Sequence, residues 1–303
     1  MAVITNNIKK RFVKDYNLPI AVFQDDTFDY FIDLYDKLYQ TKSKYKLLVE
    51  TVELFDDEQG FLNAFNRVKG KILDEISSKE SYKRLADDRH LQHETIHEIH
   101  NGSVYHPDFI DNNVISIDLK QANFNSLRLY DTDLVNNSVS YDEFISGYTD
   151  VEYFKQSKQL RQVIFGNLLP KKQQVIQKGI MQEIGDALIN KRNFECSVMK
   201  AGTDEILIYD FLDDPRIVPD ITKTIPEKYK YITKVEDFVI RQVHPEKPFY
   251  LKQVYGTKKV TFKNIPTVFF PQVFKNYFGG ELHENDLMFY YEGYRAKFIK
   301  KIY

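Results

Sequence analysis

Tryptophan is absent from this chain of 303 residues, and cysteine occurs once, as Cys196. A single cysteine excludes an intrachain disulfide framework, so cohesion must come from buried apolar cores. Cys196 falls in an expected buried strand, where a small apolar role is the ordinary one, and a cytoplasmic setting is the default. Long hydrophobic runs are missing too. No stretch approaches the roughly 20 apolar residues that span a bilayer, so no membrane partner is expected. The N-terminus carries Lys9, Lys10, Arg11 and Lys14, but no apolar run follows them, so it does not read as a signal peptide. Excess charge of either sign is lacking as well. The formal net charge is −2, which leaves a local basic channel as the only electrostatic route to nucleic acid. There is no G-x-x-x-x-G-K-[ST], no G-x-G-x-x-G and no G-x-S-x-G, so P-loop, Rossmann and serine-hydrolase readings have no support.

What is present is rich in Phe and Tyr (23 and 21 residues), with abundant Asn, Lys and Ile. These residues use AT-rich codons, and that accounts for them more simply than a base-stacking role does. The length exceeds one small domain, so two or three compact units are expected.

From about Asp26 to His100 the apolar residues recur at three- and four-residue spacing, as in Phe28, Phe31, Ile32 and Tyr35, which predicts helices. Val114–Ile117 is a short apolar run ending at Asp118. Phe124, Leu127 and Leu129 suggest a helix, and Tyr141 to Gly185 is helical with a break between Gly166 and Pro170. Phe194 to Phe211 reads as two strands around a glycine turn, closed by Asp213-Asp214-Pro215. Strands follow at Phe238–Gln242, Phe249–Tyr255 and Lys259–Lys263. A short helix at Phe269–Phe278 and a terminal hairpin about Gly293 complete the chain.

Two carboxylates at strand ends, with a basic helix between them, form the leading constellation: Asp118, then Arg161 to Gly166, then Asp204-Glu205. Asp118-Leu119-Lys120-Gln121 resembles the D-Y-S-Q opening of motif A in the DNA polymerase I family. Arg161-Gln162-Val163-Ile164-Phe165-Gly166 resembles that family's K-x-x-x-F-G helix, and Thr203-Asp204-Glu205 resembles its H-D-E motif C. The likeness covers roughly residues 111 to 215. It implies a palm-type nucleotidyltransferase with Mg²⁺ or Mn²⁺ held by Asp118 and Asp204. Glu205 is a weaker catalytic candidate, because strand alternation points it away from Asp204. Arg161 would grip a triphosphate, helped by Lys171 and Lys172, while Phe165 and Gln121 lie near the incoming nucleotide. Asn123 stands where the family has the glutamate that helps exclude ribonucleotides, and Thr203 replaces the motif C histidine. The gap from Asp118 to Asp204 leaves no room for a full fingers domain. Hard oxygen ligands suit such metals, and in-line attack on an α-phosphate needs its developing charge neutralised.

Five histidines fall between His90 and His106. His90, His93, His97 and His100 share one helical face, and His93-Glu94-Thr95-Ile96-His97 matches H-E-x-x-H. Zn²⁺ at His93, His97 and His100 is therefore the alternative metal reading, with Glu94 activating water as in a zinc hydrolase. A solvated helix face is the plainer one, since the metzincin extension fails at His100 and Ser103. Basic residues interleaved with aromatics, Lys228, Lys230 and Lys234 with Tyr229 and Tyr231, fit either a nucleic-acid track or exposed polar strands. So do Lys252, Lys258, Lys259 and Lys263.

The expected fold class is α+β: a helical region over 1–110, a small palm-like antiparallel sheet with helices over 111–215, and a β-rich region over 216–303. The expected activity is metal-dependent nucleotidyl transfer by a minimal polymerase, with nucleic acid and nucleoside triphosphates as partners. Compact size and AT-rich usage suit a phage. The alternatives are a nucleic-acid- or protein-binding module on a catalytically degenerate palm, and the zinc hydrolase.

Overall fold

The computed structural model describes residues 4–89, 91, 100–190, 197–200, 202–209 and 216–303. The first elements are helices: α1 (Asn6–Tyr16), α2 (Asp25–Tyr39), α3 (Thr41–Glu53), α4 (Glu58–Ser78) and α5 (Glu80–Asp87). Strands β1 (His100–Asn101) and β2 (Asn113–Leu119) lead into α6 (Ala122–Tyr130), α7 (Tyr141–Ser146), α8 (Glu152–Gln156), α9 (Lys158–Gly166) and α10 (Pro170–Asn190). The hairpin β3 (Ser197–Lys200) and β4 (Glu205–Tyr209) precedes α11 (Ile217–Thr224) and α12 (Glu227–Lys230). Next come β5 (Thr233–Gln242), β6 (Tyr250–Val254), β7 (Val260–Lys263), α13 (Phe270–Tyr277), β8 (Met288–Tyr291) and β9 (Tyr294–Lys297). The class is α+β, as expected. Cys196, and the Asp213-Asp214-Pro215 stop, lie outside the described residues. Among the described residues no helix is long and apolar enough to cross a membrane.

The chain divides into two compact units, each discontinuous in sequence. The first comprises residues 1–73, 145–164 and 265–303, the second residues 74–144 and 165–264. This division differs from three consecutive regions. The strands β5–β7 complete the sheet begun by β2, and the C-terminal segment groups with the first helices.

The first unit has an aromatic core. Phe12, Phe28, Phe31, Tyr35, Phe61 and Tyr153 are fully buried. Thr5 starts α1 by accepting from the Ile8 amide, and Asn17 ends it in the left-handed region at φ 50°. One carboxylate lies within this core. Asp15 accepts hydrogen bonds from Ser157 Oγ at 2.6 Å and Tyr153 OH at 2.7 Å, and pairs with Arg11 Nε at 3.1 Å. Burial raises its pKa against the lowering by Arg11 and the two hydroxyls.

In the second unit a seven-stranded sheet has the order β1-β3-β4-β2-β5-β6-β7, antiparallel except for the β1–β3 pair. From β2 to β5 the chain runs strand, helices, hairpin, helices, strand, with β2 between β4 and β5. That is the connectivity of a split βαβ unit. Gly202, at φ 97°, permits the β3–β4 turn. α10 packs against β4 and α6, on the face that carries buried Ile115, Ile117, Ile206 and Ile208. β5 begins five residues before the strand expected from Phe238. Its first half carries Lys234, Glu236 and Asp237, so the apolar alternation appears only beyond them.

Ser157 joins two stabilising roles, since its Oγ also accepts from the Leu160 amide at the start of α9. Ser157→Ala should lower unfolding free energy by about 2 kcal/mol, measured as a shift in denaturant midpoint at unchanged m-value.

Candidate functional site

Residues directly opposite each other on antiparallel strands point to the same face. Asp118 on β2 is opposite Glu205 on β4 and opposite Lys234 on β5. One row of the sheet therefore reads Glu205, Asp118, Lys234 on the face away from α10. Asp204 sits in the β3–β4 turn beside this row, and its carbonyl accepts from the Leu119 amide at 2.9 Å. The two aspartates singled out from the sequence do converge. Glu205, expected to point elsewhere, faces the same cavity as Asp118. The register, rather than its spacing from Asp204, sets its direction.

This face is apolar at one end and charged at the other. Val114, Leu207, Phe238, Ile240 and Tyr250 form a buried cluster with Val104. Tyr105, Phe109 and Ile110 pack on that cluster, and the charged end stays open. The open end is a cavity of about 250 Å³, with Asp118 and Glu205 at one side and Lys252, Lys259, Thr261 and Lys263 at the other. Glu236 lies between them.

Glu236 holds the basic side together. It pairs with Lys234 at 2.5 Å, Lys259 at 2.8 Å and Lys252 at 3.0 Å. Burial would raise its pKa, but these lysines outweigh burial and hold it down at about 2. Lys252 also approaches Ser116 Oγ at 3.4 Å and lies 4.2 Å from the centre of the Phe238 ring. Lys263 makes no ion pair among the described residues. Burial and the neighbouring Lys252 lower its pKa against Glu205, Asp118 and Glu236.

The acid side has the opposite imbalance. Burial raises Asp118, Asp204 raises it further, and Lys252 and Lys234 oppose this. Burial raises Glu205 as well, with Asp118 and Asp204 adding to it against Lys252 and Lys263. Clustered, partly desolvated carboxylates of this kind gain from a cation. Among the described residues no three His, Cys, Asp or Glu side chains form a ready metal-holding group. Asp118 and Glu205 are the oxygen donors that could hold a hard cation here, since Mg²⁺ takes few protein ligands and completes its shell with water and phosphate.

The other expected residues lie elsewhere. Phe165 is fully buried, its ring packed among Phe124, Tyr141 and Phe144, so it presents no face to a nucleotide. The hydrophobic gain of closing that aromatic cluster decides its position. Arg161 belongs to the first unit, whereas the carboxylates belong to the second. Lys171 is exposed and Lys172 bonds the Asp88 carbonyl; the cavity is lined without either. Gln121 starts α6 in a left-handed conformation, φ 47°. Asn123 accepts from Gln177 at 2.8 Å. His90, His93, Glu94 and His97 lie outside the described residues, and His100 enters only as backbone of β1. Sequence reasoning missed Glu236 and Thr261. The alternations Lys234-x-Glu236 and Lys259-x-Thr261-x-Lys263 were the available signal, because period two places each set on one face.

Glu236→Gln should cost about 2 to 3 kcal/mol, less than for a fully buried pair because Lys234 and Lys259 reach water. Thermal or urea unfolding measures it. Asp118→Asn should act the other way. A raised folded-state pKa means that stability falls as pH rises from the ordinary aspartate value through the raised one, and the whole penalty is present above it. The amide removes that penalty. Its melting temperature should exceed the parent's at neutral pH, and the gap should close near about pH 3, where the parent carboxyl is protonated in both states.

Comparison with protein-family models, with curated proteins and with solved structures finds no match for this chain.

Proposed function

We propose that this protein performs metal-dependent nucleotidyl transfer at the cavity on the open face of its sheet. The observation that carries this reading is the register of β2 against β4. It sets Asp118 directly opposite Glu205, with Asp204 in the adjoining turn. A split βαβ sheet with helices on one face and carboxylates on the other is compatible with a palm. Fold alone does not imply function, so the weight rests on the carboxylates and the basic wall across from them.

Asp118 and Glu205 would hold the cations, with Asp204 adding negative potential from the turn. Divalent metal, when bound, would supply charge neutralisation for the attacking hydroxyl and the leaving pyrophosphate. The chain's own part is to keep two ionised carboxylates at fixed spacing on rigid strands, where coil motion cannot blur the geometry. The triphosphate grip expected of Arg161, Lys171 and Lys172 has no support in the cavity lining. The stacking expected of Phe165 is corrected by its burial.

Incorporation of labelled nucleotides on primed and unprimed DNA and RNA tests the reading, with dNTPs or NTPs and Mg²⁺ or Mn²⁺. Asp118→Asn and Glu205→Gln should each reduce incorporation about 10³-fold, the scale of several kcal/mol of transition-state charge stabilisation. Chelation should abolish it. If the parent incorporates nothing under any condition and binds nucleic acid as well as Asp118→Asn does, the reading fails and a binding module on a degenerate palm replaces it.

A further inference from the structure

The basic wall of the cavity is more than a counterweight to the carboxylates. One glutamate, Glu236, contacts three ammonium groups and can neutralise only one of them. Lys263 adds a fourth cation with no ion pair among the described residues. Their arrangement is regular. Lys259, Thr261 and Lys263 alternate along β7 and its lead-in, so all three face the cavity. Thr261 is directly opposite Lys252 on β6. A single hydroxyl thus stands among three lysines, two along its own strand and one across the ladder. Glu236 tethers two of them, which lowers the entropy lost when they meet a ligand.

We propose that Lys252, Lys259, Lys263 and Thr261 form a phosphate-binding cradle. Ammonium groups act as point-charge donors to phosphate oxygens, and a hydroxyl adds a neutral donor among them. Size limits the ligand. About 250 Å³ is below the roughly 300–1,000 Å³ of pockets that enclose whole organic ligands. A polyphosphate or a backbone phosphate fits, while any base and sugar lie outside. Position adds direction. The phosphate oxygens would face Asp118 and Glu205 across the cavity, the geometry in which a cation is shared between carboxylate and phosphate. In its substrate class this inference rests on the nucleotidyl-transfer reading. It differs in assigning the phosphate grip to β6 and β7 rather than to α9 and α10. Two sources share the chemistry: the polyphosphate of a nucleotide and the backbone of a nucleic-acid strand.

The test is direct binding to the full chain. Inorganic tripolyphosphate is titrated calorimetrically, and a short labelled single-stranded oligonucleotide by fluorescence anisotropy. Parent protein is compared with Lys263→Gln, Lys259→Gln, Lys263→Arg, Asp118→Asn and Lys83→Gln, with melting curves to verify folding. Lys263→Gln and Lys259→Gln should each weaken binding about tenfold or more, as expected for loss of a charged hydrogen bond. Lys263→Arg should recover most of that loss. Lys83→Gln, at an exposed residue paired with Glu80, should bind as the parent does. Loss of tripolyphosphate binding identifies the nucleotide as the source; loss confined to the oligonucleotide identifies the strand. If the parent binds neither probe, or both glutamine variants bind both probes like the parent, the cradle is overturned. Asp118→Asn separates this from the parent reading. It should reduce incorporation about 10³-fold yet keep or tighten tripolyphosphate binding. Lysine-dependent binding without any incorporation leaves the cradle standing and the transferase reading fallen, and the converse result does the reverse.

Discussion

The pairing of β2 with β4 is the constraint on which the second unit depends. Slipping that register by one residue would turn Asp118 into the isoleucine face under α10 and bring Ile117 out to the cavity. The slip is opposed from both sides. Ile115, Ile117, Ile206 and Ile208 bury their side chains on the helix-covered face, and Val114 and Leu207 bury theirs in the cluster on the other. The hydrophobic pattern therefore fixes the register, and the register places the carboxylates. No separate interaction between Asp118 and Glu205 is needed to bring them together, which is fortunate because they repel.

That repulsion shows how the open face is organised. Carboxylates crowd at β2 and β4, and ammonium groups gather at β5, β6 and β7. A fold selected for stability alone would interleave them. Here the charges largely segregate, meeting where Lys234 stands opposite Asp118 and where Glu236 anchors its lysines. The result is a small cavity with an acidic end and a basic end, each under-compensated and each able to be satisfied by a ligand of opposite sign. On the proposed reading, a metal–phosphate pair would satisfy both at once. The first unit offers a contrast: Asp15 is more deeply buried than Asp118 or Glu205, but Ser157, Tyr153 and Arg11 answer it, so it reads as structural.

Much of the secondary structure was legible. The three- and four-residue spacing from Phe28 onward became α2 and the helices after it, and Gly202 and Gly293 both take positive φ at hairpin turns. The reach of β5 was not legible, because Lys234 and Glu236 face an open cavity and erase the apolar alternation that marks a strand. Phe165 misled for a related reason. An aromatic one turn from an arginine looks the same whether its ring faces a ligand or the core, and only packing against Phe124, Tyr141 and Phe144 distinguishes the two.

Local periodicity thus determined which segments are helices and strands, and local chemistry picked out Asp118, Asp204 and Glu205 as residues worth watching. Tertiary structure alone decided that Glu205 faces Asp118 and that α10 covers one side and leaves the other open. It also decided that lysines of β6 and β7 and the lead-in to β7 line the same cavity as the carboxylates. The physical reason is distance along the chain. Side chains within a few residues share a period that the backbone imposes, whereas cross-strand neighbours are chosen by the burial of apolar faces far apart in sequence, and that choice exists only once the sheet has closed.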